Sequence, residues 1–159
     1  MAKVKPIPKG YHTLTPALSV RDADKAIEFY KQAFGAKERA RYYMPDNKTI
    51  MHAELKIGDS ILTLNDEMPE MKCFSPQSIG GTAVALYTYV PNVDKVFEKA
   101  VAAGATSTMP VMDAFWGDRC GQLIDPFGHV WFLATRKKNL TTKQLKKGQE
   151  EWLAQMSKQ

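Results

Sequence analysis

His52 and Glu54 stand two residues apart in Ile50–Ile57, a stretch that reads as a β-strand. Alternate residues of a strand share a face, so the two form the minimum for a general acid/base pair or a two-ligand contact with a metal. Two arguments about their face disagree. If Met51, Ala53, Leu55 and Ile57 pack against a helix, His52 and Glu54 look into a cleft. If Gly58-Asp59 is a two-residue turn, Leu55 opposes Leu62, and placing Leu62 in the cleft turns His52 away.

A second group, Phe115-Trp116-Gly117-Asp118-Arg119, reads as a loop before a short strand. Its aromatic faces and guanidinium can grip a flat or anionic ligand. Equally, Trp116 can plug the edge of the core while Asp118 and Arg119 pair with each other. Tyr87 and Tyr89 alternate onto the same side as Ala85, which directs them into a cleft or into a subunit interface. His129 follows a turn glycine and suits a backbone hydrogen bond better than a ligand role, and His12, ahead of the first strand, reads as structural or exposed. Cys73 and Cys120, without a CxxC pattern, read as isolated reduced thiols, and either can be a nucleophile only with a histidine beside it in space. GxSxG, GxGxxG and GxxxxGK[ST] patterns are absent, which leaves nucleophile-elbow, dinucleotide and P-loop chemistry without support.

The elements that must position these residues repeat. Displacing the chain by 70 positions sets Val20 on Val90, Asp24 on Asp94, Lys25 on Lys95, Glu28 on Glu98, Ala33 on Ala103 and Gly58 on Gly128. In the first half, Thr13–Val20 reads as a strand, and a helix capped by Asp22 and stopped by Gly35 follows it. Ile50–Ile57 and Ser60–Asn65 then read as two strands around the Gly58-Asp59 turn. The second half repeats this with a strand over 83–90 and a helix from Asn92 to Gly104. Strands over 106–112, 122–124 and 130–135 complete it, with Asp125-Pro126-Phe127-Gly128 as a turn. The expected class is therefore α+β, two βαβββ modules over 11–66 and 82–136 within one domain over 11–136. The segment 66–81 connects them, and the tail 137–159 carries a helix capped by Thr142 with Leu145, Gln149, Trp152, Leu153 and Met156 on one stripe. A lone module leaves one sheet face wet, so the paired modules are expected to cover each other and enclose a cleft.

Charge sets limits on partners. The net charge is +5, but residues 1–10 carry three lysines and no acid, and residues 136–159 carry seven basic residues against two acidic ones. The flanks thus hold +8 and the stretch between them −3, the pattern of a domain with solvated ends and not of a nucleic-acid reader. The start MAKVKPIPKG has no apolar stretch behind its lysines, and no apolar run is long enough to span a bilayer. The expectation is a cytoplasmic chain without a membrane partner.

Three segments carry a family resemblance: Asp22-Ala23-Asp24-Lys25-Ala26-Ile27-Glu28-Phe29-Tyr30 with Ala33-Phe34-Gly35-Ala36; His52-Ala53-Glu54-Leu55 with Gly58-Asp59-Ser60; and Asp125-Pro126-Phe127-Gly128-His129-Val130-Trp131. Together they resemble the vicinal oxygen chelate superfamily, which holds glyoxalase I, bleomycin-resistance proteins and extradiol dioxygenases, and especially the glyoxalase/bleomycin-resistance-like branch that includes phosphonate-operon-associated proteins. The resemblance implies tandem βαβββ modules and, in the family's enzymes, a divalent metal that chelates two neighbouring substrate oxygens as a Lewis acid. Carried onto this chain, the ligand positions fall at Thr15 and Ala85 in the first strand of each module. In the last strands they fall at Leu62, or Thr63 if the register slips by one, and at Phe132. None is a metal ligand, and no cofactor is expected.

The reading that follows is a homodimer that binds or sequesters a small organic molecule, lined by Thr15, Leu62, Ala85, Tyr87, Phe115, Trp116, Arg119 and Phe132 and lacking the family metal. The alternatives are a glyoxalase-type lyase or isomerase that uses His52 and Glu54 with a third ligand, and a dimeric interaction module built on the tail helix.

Overall fold

The structure is a computed structural model and describes residues 4–157. The fold is α+β. β1 (Ala17–Val20), α1 (Ala23–Phe34), β2 (Lys37–Tyr43), β3 (Ile50–Ile57) and β4 (Ser60–Asp66) make the first half. A 3-10 turn over Pro69–Met71 and the short helix α2 (Pro76–Ile79) lie in the connector. β5 (Ala85–Tyr89), α3 (Val93–Ala102), β6 (Thr106–Asp113), β7 (Asp118–Ile124) and β8 (Val130–Arg136) make the second half, and α4 (Thr142–Met156) follows. The strands form two separate four-stranded sheets of one topology, β1-β4-β3-β2 and β5-β8-β7-β6. In each, the first strand runs parallel to the last and the other pairings are antiparallel.

Local chemistry explains the helices. The Asp22 side chain accepts from the Lys25 amide and Asn92 accepts from the Lys95 amide, satisfying donors that the first turn leaves free. α1 ends at Gly35 with φ 65, whereas α3 ends at Ala103, one residue before the expected glycine. α4 starts behind Thr141, whose hydroxyl accepts from Gln144 N while the Gln144 side chain accepts from the Thr141 amide.

α1 covers one face of the first sheet, α3 covers one face of the second, and the halves meet where the two helices pack on each other. Ala23, Ala26, Ile27, Tyr30 and Ala33 of α1 and Val93, Phe97 and Ala100 of α3 join Leu55, Leu64, Leu123 and Leu133 in one core. Small residues on α1 let the backbones approach, and the rings of Phe29, Tyr30, Phe34, Phe127 and Trp131 fill the remainder, with Phe34 and Trp131 centroids 4.3 Å apart. A carboxylate sits in this seam. Asp125 Oδ2 accepts from the Tyr30 hydroxyl (2.8 Å) and Trp131 Nε1 (2.9 Å), and its Oδ1 accepts from the amides of Phe127 and His129. The Tyr30 phenol is raised well above its ordinary value by burial and by that carboxylate.

Several expectations are corrected. β1 begins at Ala17, because Pro16 interrupts the run and its carbonyl accepts from Thr63 N. Leu14 is consequently 88% exposed. β2 has no apolar alternation to announce it, since Lys37–Tyr43 lies at the sheet edge with no buried residue. β7 starts at Asp118, so Asp118 and Arg119 belong to a strand and not to a loop. Above all, the halves do not cover each other's second face: their helices meet instead, and Tyr42, Tyr87 and Tyr89 on the helix-free faces are 56%, 50% and 56% exposed.

Candidate functional site

Ladder register decides which side chains share the open, helix-free face of each sheet. In the first, Leu55 opposes Leu62 and Ala53 opposes Leu64, and all four are buried toward α1. His52 and Glu54 therefore point to the open face, where Glu54 opposes Thr63. Both sequence arguments are reconciled by one correction: Leu62 faces the helix, and Thr63 takes the open-face position. The last strands are related by 69 residues and not 70, since Thr63 pairs with Ala17 as Phe132 pairs with Tyr87. The cause is two connections of unequal length: 114–117 between β6 and β7 is two residues shorter than 44–49 between β2 and β3, and the 125–129 turn, longer than Gly58-Asp59, returns one residue to the register.

On the first open face, Glu54 is the centre. His52 Nε2 lies 3.5 Å from its Oε1 and Arg39 Nη1 lies 3.7 Å from its Oε2. The Arg39 guanidinium stands 5.9 Å from the centroid of the Tyr11 ring. The Tyr11 hydroxyl is the main influence that holds the Glu54 carboxyl below its usual range, and Glu54 in turn pushes the Tyr11 phenol up. The Tyr42 and His52 rings run nearly parallel with centroids 6.2 Å apart. This is a polar, titratable face able to hold or move a proton.

The second open face is aromatic. Tyr87 and Phe132 oppose each other across the parallel ladder and stack at 4.6 Å, and Tyr89 lies 5.3 Å from Tyr87. Asp118 closes one end. Its Oδ2 accepts from Tyr89 (2.9 Å), Tyr87 (3.3 Å) and Trp116 Nε1 (3.1 Å). Its buried Oδ1 has no directed hydrogen bond, though Arg136 Nε lies 3.0 Å away as an ionic neighbour. Burial, and next the Tyr89 hydroxyl, push the Tyr87 phenol above its ordinary value. Cys120 shares this face, and burial raises its thiol, which works against the thiolate a nucleophile needs.

The remaining candidates fall elsewhere. Arg119 points to the helix side, where it forms a bidentate pair with Asp94 of α3 (2.7 Å) and reaches Asp113 (3.2 Å), because its odd position in β7 opposes Thr135 and not Ala134. It stands off the Tyr87–Phe132 face. Phe115 turns toward α4, with Trp152 5.8 Å from its ring. Thr15 lies ahead of β1, and its hydroxyl donates to the His12 carbonyl. His129 reaches across the seam, its Nε2 3.1 Å from the Ser19 carbonyl. Tyr11, Arg39 and Tyr42 were absent from the sequence reading. Alternation in β2 places Tyr42 opposite His52, but only a recognised edge strand gives that signal.

The family's metal can be tested against the donors present. Thr15 and Thr63 offer only hydroxyls, each spent on a backbone carbonyl, and Ala85 and Phe132 offer none. Among the described residues no three of His, Cys, Asp and Glu converge on one point. This donor set does not fit a divalent cation, which needs several lone-pair donors at bonding distance.

Comparison with known proteins agrees with the architecture. An uncharacterised protein of Mycobacterium bovis is 46% identical over 123 residues, covering 76% of this chain and 80% of that protein. Among solved structures, the Arabidopsis thaliana gene product and TioX from Micromonospora sp. ML1 each superpose with a TM-score of 0.62 at 28% identity. They cover 77% and 79% of this chain and 98% of each of those chains. No helix among the described residues is long and apolar enough to cross a membrane. With the family model matching residues 12–133 over both βαβββ halves, the chain belongs to the Glyoxalase/Bleomycin resistance protein/Dioxygenase superfamily.

Proposed function

We propose that this protein binds a small planar organic molecule on the open face of its second sheet, without the superfamily's metal. The observation that carries this reading is the Tyr87–Phe132 stack, which stands where a donor would be needed. Flat rings of about this spacing gain dispersion and quadrupole contact with an aromatic guest, and the Asp118 cluster holds the Tyr87 and Tyr89 hydroxyls in fixed directions. An aromatic surface left half open invites a cover, and a second copy in a homodimer supplies one by setting another sheet over it. Two free thiols suit a reducing cytoplasm.

The test is a thermal-shift screen with planar heteroaromatic compounds and with Mn, Ni, Zn and Fe salts. A ligand bound only by the folded state raises its stability. The expected result is a Tm rise with a planar compound that disappears in Trp116→Ala and Phe132→Ala and persists in His52→Ala. A rise with a metal salt, lost in His52→Ala and without any planar binder, overturns it.

The Glu54 cluster favours a second reading, general acid/base chemistry by His52 and Glu54 on the first open face. Tyr11 and Arg39 keep Glu54 ionised and orient it, and His52 exchanges the proton. The glyoxalase-type metal version needs a third donor beside these two.

A further inference from the structure

We propose that α4 is a positioning element for the aromatic face: it grips Phe115 and so holds Trp116 in place beside Asp118. The family match ends at residue 133, and α4 lies beyond it at Thr142–Met156. Beyond its capping box and one exposed Lys147–Glu151 pair, little intrinsic to this helix holds it in place. It has no buried residue and no acid in its first turn, and Lys143, Lys146 and Lys147 crowd its N-terminal half, against the helix dipole. Gly148, in its interior, weakens it further relative to alanine.

That glycine has a use. A Cβ at position 148 would lie 3.3 Å from both Cβ and O of Phe115, tighter than ordinary contact, so the bare backbone is what admits Phe115. One helical turn later, the Trp152 ring closes the notch, tilted 40° to the Phe115 ring. Phe115 meets the Trp116 ring edge-on at 5.1 Å. On its other side the loop is held by the last residue of β8 and the segment that follows it. Arg136 Nη1 donates to the Trp116 carbonyl (3.0 Å), and the amides of Lys137 and Lys138 donate to the Gly117 carbonyl. A Cβ at 117 would lie 2.6 Å from the Lys138 carbonyl oxygen, so only glycine fits. Trp116 is thereby tied from α4 to the carboxylate that also fixes Tyr87 and Tyr89. Gly148 and Trp152 are positioning residues that touch no guest on the sheet. Their effect on ligand choice rests on the binding reading above, whereas the contact chain itself does not.

The experiment is fluorine NMR of the full-length protein labelled with fluorotryptophan, which gives one resonance each for Trp116, Trp131 and Trp152, assigned by Trp→Phe variants. In Trp152→Ala and in Gly148→Val, the Trp116 resonance is expected to shift and to become more strongly broadened by a soluble paramagnetic chelate. Trp131, buried in the core, reports fold integrity and stays in place. Trp152→Phe, which keeps a ring on Phe115, restores Trp116 to its wild-type position. A Trp116 resonance unmoved in both variants overturns the proposal. So does a Trp131 resonance that moves with it in both, since α4 would then support the core and not the loop. Failure to find any planar binder ends the binding reading and leaves these resonances to decide on α4.

Discussion

On the open face of the first sheet, Glu54 sits among Tyr11, Arg39 and His52; at the matching place on the second, Phe132 stacks on Tyr87. The backbones beneath are alike in strand order and in how one helix covers them. What differs is side-chain chemistry and the length of the connections on either side of the third strand, so duplicated architecture constrains where residues stand without constraining what they do. The two turns part most sharply. Gly58-Asp59 is a solvent-exposed hairpin, whereas 125–129 is inserted into the seam between the halves through Asp125, Phe127 and His129.

The contrast between the turns carries the largest effect. Asp125→Ala strands a buried phenol, an indole N–H and two amides, and is expected to cost about 3 kcal/mol or more of unfolding free energy. Asp59→Ala, which loses only an exposed hydrogen bond to Ser60, should stay within about 0.5 kcal/mol. Urea denaturation measures both, and equal losses would break the comparison. Between the faces, Phe132→Ala is expected to cost about 1 kcal/mol through the lost Tyr87 stack, beyond the area it buries. Thr63→Ala, which loses one long hydrogen bond to the Pro16 carbonyl, should cost less, about 0.5 kcal/mol.

The smallest effect is in pH dependence, and it belongs to the first half and its connector. Hydrogen bonds from Ser75 and Ser78 lower the Glu67 carboxyl from 4.5 to about 2, and Tyr11 lowers Glu54. Both carboxylates bind protons less readily folded than unfolded. Their contribution is therefore present in full above about pH 4.5 and is lost as pH falls through the folded values, toward about 2 for Glu67. Glu67→Gln and Glu54→Gln should each flatten the acid limb of stability measured by urea titration between these limits. An unchanged slope in both would show that the polar character of this half has no energetic weight.

The duplication was legible because apolar spacing and caps recur: Asp22 and Asn92 open α1 and α3 as expected. The edge strand β2 was not, since KERARYY puts no residue into the core and periodicity has nothing to report. His52 and Glu54 were found, but their face was open until the turn fixed the Leu55–Leu62 pairing. Leu62 was placed wrongly because a uniform displacement of 70 ignores connections of unequal length in the two halves, and one residue of slip exchanges the two sides of a strand. Arg119 pairs with Asp94, 25 residues away on a helix, a contact that its own neighbourhood in the sequence does not signal. The Asp118 cluster gathers Tyr87, Tyr89, Trp116 and Arg136 from three separate stretches, and no local spacing announces it.

The Asp125 seam also limits how this molecule can adapt. A carboxylate that reaches α1 through the Tyr30 hydroxyl, while the Trp131 indole and its own turn's amides hold it in the second half, resists any hinge between the halves, for opening it would leave a buried phenol without its partner. The two halves should travel as one rigid block. Any change of shape is thereby left to the rim, in the edge strands and the Phe115–Gly117 loop.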